Sequence, residues 1–166
     1  MAKEKLQPPR LVRESQAEIA QVVLPNDANP LGNILGGTVM HMVDMLAAIA
    51  AQRHCGSYVV TASVDHVDFR YPIRVGEIIV LKASVNRAFH RSMEVGVKVF
   101  REDNFTHQRK HTSSAYLTFV AIDENRKPRP VPPVVPETRE EKRRYQEAGK
   151  RRQWRLQHLT NRRHPS

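Results

Sequence analysis

One carboxylate stands out because it lies in an otherwise uncharged stretch of the chain. Between Gly36 and Ala51 the only charged residue is Asp44, among Gly, Thr, Val, Met, His, Leu, Ala and Ile. Carboxylates are rarely buried in apolar surroundings unless they are paired or take part in chemistry. Two interpretations stand side by side: a structural acid that pairs with Arg or His, and a base or nucleophile.

Two glycines before this stretch could supply a second chemical group. Gly36 and Gly37 would open the predicted helix, where the first backbone N–H groups lack a helical partner and lie at the positive end of the dipole. Without side chains, these amides can approach a carbonyl oxygen closely, as in an oxyanion hole. Asp44 follows Gly37 by seven residues, which is two turns and about 10 Å along the same helix face. A tight turn is the simpler interpretation of the glycine pair.

The elements that must position these groups follow from composition and periodicity. Residues 38–54 are rich in Ala, Met and Leu and predict a helix that Gly56 ends. The loop before it, residues 25–37, contains two Pro, three Gly and three Asn. Five segments rich in Val, Ile, Thr and aromatic residues predict strands, namely 19–24, 59–69, 78–89, 93–101 and 111–122. Short gaps between the later segments favour antiparallel neighbours.

This order predicts an α+β fold in which one curved antiparallel sheet of about five strands wraps a long central helix. The expected organisation is a flexible N-terminal segment over 1–18, the domain over 19–125, a Pro-rich strap over 126–136 and a basic helical tail over 137–166. The tail is expected to be an exposed, charged helix. A hydrophobic content of 40% in 166 residues excludes a mainly disordered chain, and a single cysteine excludes a disulfide scaffold.

Most of the positive charge lies in the tail. The net charge is +10, and residues 137–166 contribute ten Lys or Arg against four Glu. This split favours a solvated or packed tail, so nucleic acid is not expected as a partner. No metal site is expected, because no His-x-x-x-His pair lies on a predicted helix. No apolar run reaches the roughly 20 residues that span a bilayer, and none near the N-terminus is typical of a secretory signal, so a cytoplasmic location is expected.

The residues around Asp44 resemble a known family. Residues 27–38, Asp-Ala-Asn-Pro-Leu-Gly-Asn-Ile-Leu-Gly-Gly-Thr, together with Met42-Val43-Asp44, resemble the hotdog-fold acyl-CoA thioesterases. The group they resemble most is the cytosolic acyl-CoA hydrolases of the YciA and brain acyl-CoA hydrolase type. Residues 61–65 and 68–77 add to the resemblance, which runs from about Val22 to Ile122.

This resemblance implies a hotdog fold and hydrolysis of fatty acyl-CoA to a free fatty acid and CoA. It implies a homodimer with shared active sites, assembled as a trimer of dimers. Asp44 would be the general base or nucleophile, and Asn33 of the other protomer would position water or substrate. A backbone amide of Gly36 or Gly37 would polarise the thioester carbonyl. No cofactor is implied, since coenzyme A is part of the substrate and product.

Coenzyme A carries phosphates, so basic side chains are expected around its entrance. Arg87, His90, Arg91 and Ser92 lie in one predicted hairpin and are candidates for that contact, beside a solvated turn as the alternative. The pantetheine arm is expected to run along the backbone of Ser63, Val64 and Asp65.

Two other functions remain open from the sequence. Hotdog dehydratases or hydratases also place an acid in the central helix, but they need a histidine from the preceding loop, and this chain has none before His41. A non-catalytic module that binds acyl-CoA or nucleic acid is the second alternative.

Overall fold

The central sheet has five antiparallel strands in the order β2-β4-β5-β6-β3. The computed structural model describes residues 7–163, with side chains to residue 159. The strands are β2 (Ala17–Val22), β3 (Tyr58–Val64), β4 (Ile78–Ala88), β5 (Ser92–Glu102) and β6 (Arg109–Ile122). Helix α1 (Gly36–Cys55) packs along the inner face of this curled sheet. The predicted fold class, a helix wrapped by an antiparallel sheet, is confirmed.

Helix α1 is 20 residues long, and nine of them are buried because their side chains form the core with the inward residues of the sheet. It ends at Cys55 because Gly56 takes the left-handed conformation, with φ of 62°, which glycine adopts without strain. The inward side chains of β5 and β6 include Met93, Val95, Leu117 and Phe119. These contacts fix the distance of α1 from the sheet and its rotation about its own axis.

The N-terminal segment differs from the prediction. Strand β1 (Arg10–Leu11) pairs in parallel with β7 (Val134–Val135), and a short 3-10 helix over Val12–Ser15 buries its first and last residues. Ser15 Oγ accepts a hydrogen bond of 2.9 Å from the backbone N–H of Val85. The prediction of a flexible segment over 1–18 is therefore wrong for residues 10–18, and residues 1–6 lie outside the described part.

The Pro-rich strap packs onto the end of α1. His54 is fully buried, and its Nε2 lies 2.7 Å from the carbonyl oxygen of Pro132. Burial lowers the pKa of His54, and this outweighs the opposing effect of the hydrogen bond to Pro132. The neutral ring therefore donates Nε2–H to the strap, while β7 ties the next residues to β1.

Helix α2 (Arg139–Arg163) crosses the outer face of the sheet, so the prediction of an exposed charged helix is corrected. Its key contact is Glu94 of β5, which has no solvent exposure. Arg151 donates two hydrogen bonds to this carboxylate, of 2.8 and 3.0 Å, and Asn86 donates a third of 3.0 Å. Arg155 lies 2.7 Å from Asp65, just beyond β3. The arginines that suggested a solvated face hold α2 to the sheet.

Replacing Arg151 with methionine should destabilise the fold by about 3 kcal/mol, because it leaves a buried carboxylate without its main partner. The matched control is Arg143→Met, which removes an exposed Arg of the same helix that pairs only within α2. Urea unfolding of both variants measures the difference. Equal losses of unfolding free energy in the two variants would contradict the role given to the Glu94 contact.

Candidate active site

Asp44 lies in the middle of α1 and faces the edge strand β3. Thr61 of β3 donates a hydrogen bond of 2.8 Å from Oγ1 to Asp44 Oδ1. Among the described residues no Lys, Arg or His forms an ion pair with Asp44, and its second oxygen accepts no hydrogen bond. The interpretation as a structural acid paired with Arg or His is thus not met. One oxygen is oriented by a hydroxyl, and the other can reach water or a ligand.

Thr61 reaches Asp44 because of its place in the strand. It lies opposite Phe119 of β6, and the register shifts between Thr61 and Ser63. This irregularity follows directly after the residue that contacts α1. Irregularities of this kind often re-aim a side chain next to a functional site.

The glycine pair lies at the first turn of α1, as predicted. The N–H groups of Gly36 and Gly37 have no acceptor among the residues that the structure describes, and both glycines are exposed. A Cβ on Gly36 would lie 3.7 Å from the ring of Phe69, an ordinary contact distance. These amides can donate hydrogen bonds to a carbonyl oxygen, but they lie about 10 Å along the helix from Asp44 of the same chain.

The loop before α1 is folded around Asn29. Its Oδ1 accepts hydrogen bonds from the backbone N–H groups of Leu31, at 3.0 Å, and Asn33, at 3.1 Å. Asn29 and Asn33 both line a pocket of about 320 Å³ with Gly36, and the ring of Phe69 adds an apolar wall. This pocket lies at the N-terminal end of α1, whereas Asp44 lies two turns further along. Within one chain the loop and Asp44 therefore form two separate halves.

The residues predicted along the pantetheine path lie at the end of β3. Ser63 pairs with Thr118 and Val64 with Leu117, which leaves the other edge of the strand open. Asp65 is engaged on both sides: its N–H donates to the carbonyl of Tyr116, and its carboxylate binds Arg155. Burial raises the pKa of Asp65, while Arg155 opposes that rise. The side chain of Asp65 thus serves the α2 contact.

Of the predicted phosphate-binding residues, Arg87 and Ser92 face α2, on the other side of the sheet from Asp44. Arg87 of β4 lies opposite Glu94 of β5 in the strand register, just after a register shift. Its side chain turns toward α2, where it contacts the ring of Tyr145. Ser92 accepts a hydrogen bond of 3.2 Å from Arg152. His90 and Arg91 are exposed in the turn between them, and their carbonyls accept from Val131 and Ala121. The structure brings these four residues together with one another and not with Asp44.

Sequence reasoning missed Thr61 and Asn29 as functional candidates. Thr61 stood inside the quoted strand motif, but its contact with Asp44 depends on a pairing register that no spacing shows. Asn29 lies in the loop motif of residues 27–38 together with Asn33, and residue type alone does not distinguish which of the two asparagines is functional.

Two classes of feature are absent from the described part of the chain. It contains no group of three or more His, Cys, Asp or Glu placed to hold a metal ion. None of its helices is both long enough and apolar enough to cross a membrane.

Comparisons with known proteins identify the family. The profile of the thioesterase superfamily matches residues 31–106. The protein YkhA of Bacillus subtilis, named an uncharacterized acyl-CoA thioester hydrolase, is 44% identical over 132 residues, which cover 80% of this chain and 77% of YkhA. Mouse acyl-coenzyme A thioesterase 11 is 41% identical over 145 residues, and the match covers 86% of this chain but only 24% of the mouse protein.

The fold also matches solved structures along almost its whole length. An acyl-CoA hydrolase from Staphylococcus aureus, solved with butyryl-CoA and CoA, aligns with a TM-score of 0.89 at 39% identity, covering 94% of this chain and 95% of that one. The chain belongs to the thioesterase superfamily and, within it, to the acyl-CoA thioesterases of the hotdog fold.

Proposed function

We propose that the protein hydrolyses fatty acyl-CoA to a free fatty acid and CoA, with Asp44 as the general base or nucleophile. The observation that carries this proposal is the Asp44 carboxylate, which Thr61 orients through one oxygen while the other accepts no hydrogen bond from the described residues. The related Staphylococcus aureus enzyme was solved with butyryl-CoA, a substrate of this class.

The spacing of three residues supports the same assignment. The Staphylococcus aureus enzyme was also solved as single variants in which an asparagine, an aspartate or a threonine is replaced by alanine. In that chain the asparagine precedes the aspartate by 15 residues and the threonine follows it by 17. Asn29, Asp44 and Thr61 stand at the same separations here. We therefore favour Asn29 over Asn33 as the loop residue that positions water or substrate.

A complete site requires a second copy of the chain. A reacting carbonyl must lie about 3 Å from both the attacking group and the oxyanion donors, whereas Asp44 and the glycine amides of one helix are about 10 Å apart. A two-fold axis that runs the two α1 helices antiparallel would place the glycine end of one beside Asp44 of the other.

The surface that such a dimer would bury is present. The edge strand β3 and the neighbouring face of α1 carry apolar side chains that are between 42% and 62% exposed, namely Met45, Ile49, Tyr58, Val60 and Val64. An acyl-CoA thioesterase of 41% identity and a Yersinia pestis thioesterase were solved as hexamers. These relatives support a hexamer, and a trimer of the proposed dimers would have that size.

In the proposed reaction, Asp44 takes a proton from water while the water oxygen attacks the thioester carbon, or its carboxylate attacks that carbon directly. The amides of Gly36 and Gly37 donate hydrogen bonds to the oxygen that becomes negative. In the first route the carbon–sulfur bond then breaks, and the CoA thiolate takes the proton that Asp44 holds. In the direct route the thiolate leaves first; water afterwards cleaves the acyl-aspartyl anhydride to the fatty acid and the Asp44 carboxylate and supplies the proton that the thiolate takes up.

We also propose a cytoplasmic location, supported by relatives named cytosolic acyl coenzyme A thioester hydrolase in mouse and human. The dehydratase alternative gains no support, because the residues lining the loop pocket include no histidine.

Replacing Asp44 with asparagine should lower kcat by roughly 10²–10⁴-fold, because the amide has neither the charge nor the basicity to drive the attack. Binding of CoA should stay within a few-fold of wild type. Thiol release from butyryl-CoA measures the first effect, and calorimetry with CoA measures the second. Glu124→Gln is the matched control, because it neutralises an exposed carboxylate away from the site. An unchanged kcat in Asp44→Asn would contradict the role given to Asp44.

The two loop asparagines can be separated by different substitutions. Asn29→Asp keeps the oxygen that holds the N–H groups of Leu31 and Asn33 but removes the side-chain donor, so we expect a loss of about 10–10³-fold in kcat with an unchanged melting temperature. Asn33→Ala should cost less. A larger loss in Asn33→Ala than in Asn29→Asp would restore Asn33 as the positioning residue.

Shared sites predict complementation between two inactive variants. When Asp44→Asn and Asn29→Asp chains are co-expressed, each mixed dimer contains one site with both native residues. Random pairing should recover roughly a quarter of wild-type activity. If the doubly tagged mixture is no more active than the separate variants, each site is built from a single chain.

A further inference from the structure

A second pocket lies between the β4–β5 turn and α2, on the outer face of the sheet. Its volume is about 420 Å³. All of the charged side chains that line it are basic: Arg87, Lys150 and Arg152. The remaining lining residues are Phe89, Gln146, Gly149, Gln153 and Leu156.

The arginines of this pocket differ from their neighbours in lacking a carboxylate partner. Elsewhere on α2, ion pairs hold the guanidinium groups of Arg143, Arg144, Arg151 and Arg155. Neither Arg87 nor Arg152 forms such a pair with any residue in the described part of the chain. Burial lowers the pKa of Arg152, and the charges of Arg155 and Arg87 lower it further. The pocket therefore holds its basic side chains close together, and no carboxylate is among the residues that line it.

Aromatic rings and single hydrogen bonds hold the two guanidinium groups in place. The Cζ of Arg152 lies 4.2 Å from the centre of the Phe89 ring, and that of Arg87 lies 4.4 Å from the centre of the Tyr145 ring. Arg87 donates to the backbone carbonyl of Tyr145, and Arg152 donates to Ser92 Oγ. Each guanidinium has five N–H donors, so most of them remain available to a ligand.

Gly149 makes room for this arrangement inside α2. A Cβ at this position would collide with Nη1 of Arg87. Glycine is a poor residue for the interior of a helix, yet here it allows the guanidinium of Arg87 to lie directly against the helix.

We propose that Arg87, Lys150 and Arg152 form a phosphate-binding pocket that takes a phosphorylated ligand carrying at least two negative charges. Guanidinium groups bind phosphate oxygens through two parallel hydrogen bonds, and a lysine adds a point charge. Two sources share this chemistry: the phosphates of coenzyme A, a source that rests on the proposed function, and a free phosphate compound.

The position of the pocket is compatible with coenzyme A. Strand pairing connects the β4–β5 turn with Thr61. Ala88, next to Arg87, pairs with Met93 of β5; Met93 pairs with Phe119 of β6, and Phe119 pairs with Thr61 of β3. The β4–β5 turn and Thr61 are thus at the same level of the sheet, three strands or roughly 14 Å apart. A ligand bound at both places would have to pass around the β3 edge, where Arg155 holds Asp65.

Calorimetric titration with pyrophosphate tests the pocket directly. We expect saturable binding that weakens at least tenfold in Arg87→Gln and in Arg152→Gln. Arg143→Gln is the matched control, because it removes the same charge from the exposed side of α2 and should leave the affinity unchanged. Absence of binding to the native protein, or equal affinities in Arg152→Gln and Arg143→Gln, overturns the proposal.

Gly149→Ala gives a second test that removes no charge. The added methyl group should displace the guanidinium of Arg87 and weaken pyrophosphate binding, while the melting temperature stays the same or rises because alanine favours the helix. Native affinity in this variant would show that the position of Arg87 does not matter and would contradict the pocket as described.

Kinetics of Arg152→Gln distinguish the two ligand sources. If the pocket holds coenzyme A, KM should rise about tenfold for butyryl-CoA and stay unchanged for butyryl-pantetheine, which lacks the phosphates. If it holds a free phosphate compound, both KM values stay unchanged while pyrophosphate binding is lost. An equal rise for both substrates means that the substitution disturbs the site as a whole, and the proposal fails. Since pyrophosphate binding needs no turnover, a lack of thioesterase activity would leave that result intact.

Discussion

The hydrogen bond from Thr61 to Asp44 connects the two elements on which the site depends, the central helix and an edge strand. An edge strand is held on one side only, so its position against α1 relies on β6 along its length and on Arg155 at its end. Arg155 belongs to α2, which the buried Glu94 fixes to β5. Contacts on the outer face of the sheet thus support the geometry of a carboxylate on the inner face.

The spacing of seven positions from Gly37 to Asp44 imposes a second constraint. It separates the amide donors from the carboxylate by about two turns of a rigid helix, and no side-chain movement closes that gap. Within one chain these groups form two half-sites, and in the proposed dimer a single partner copy completes both of them. The exposed apolar residues of β3 and α1 lie near Asp44, and in the proposed dimer their burial against a second copy would stabilise the assembly that completes the site.

The sequence predicted the inner layer of this fold well and its outer layer poorly. The long uncharged stretch around Asp44 and the alternation of Met93, Val95, Val97 and Val99 identified α1 and β5, because apolar periodicity reports burial. The same alternation puts Glu94 on the polar face of β5 and therefore predicts that its side chain is exposed to solvent. Its complete burial depends on Arg151, 57 residues later in the chain, and no local pattern contains that information. The ordered residues 10–15 were missed for the same reason, since their partners lie in the strap and in β4.

The burial of Glu94 beneath α2 has a consequence for truncations and fusions at the C-terminal helix. Helix α2 has the composition of a dispensable extension, and a protein engineer would choose it as the place for a fusion or a deletion. Removing it would expose the Glu94 carboxylate on the surface of β5, where Asn86 would be its one remaining hydrogen-bond donor among the residues that the structure describes, together with part of the sheet. A shortened protein would therefore need an uncharged residue in place of Glu94 to remain folded and soluble.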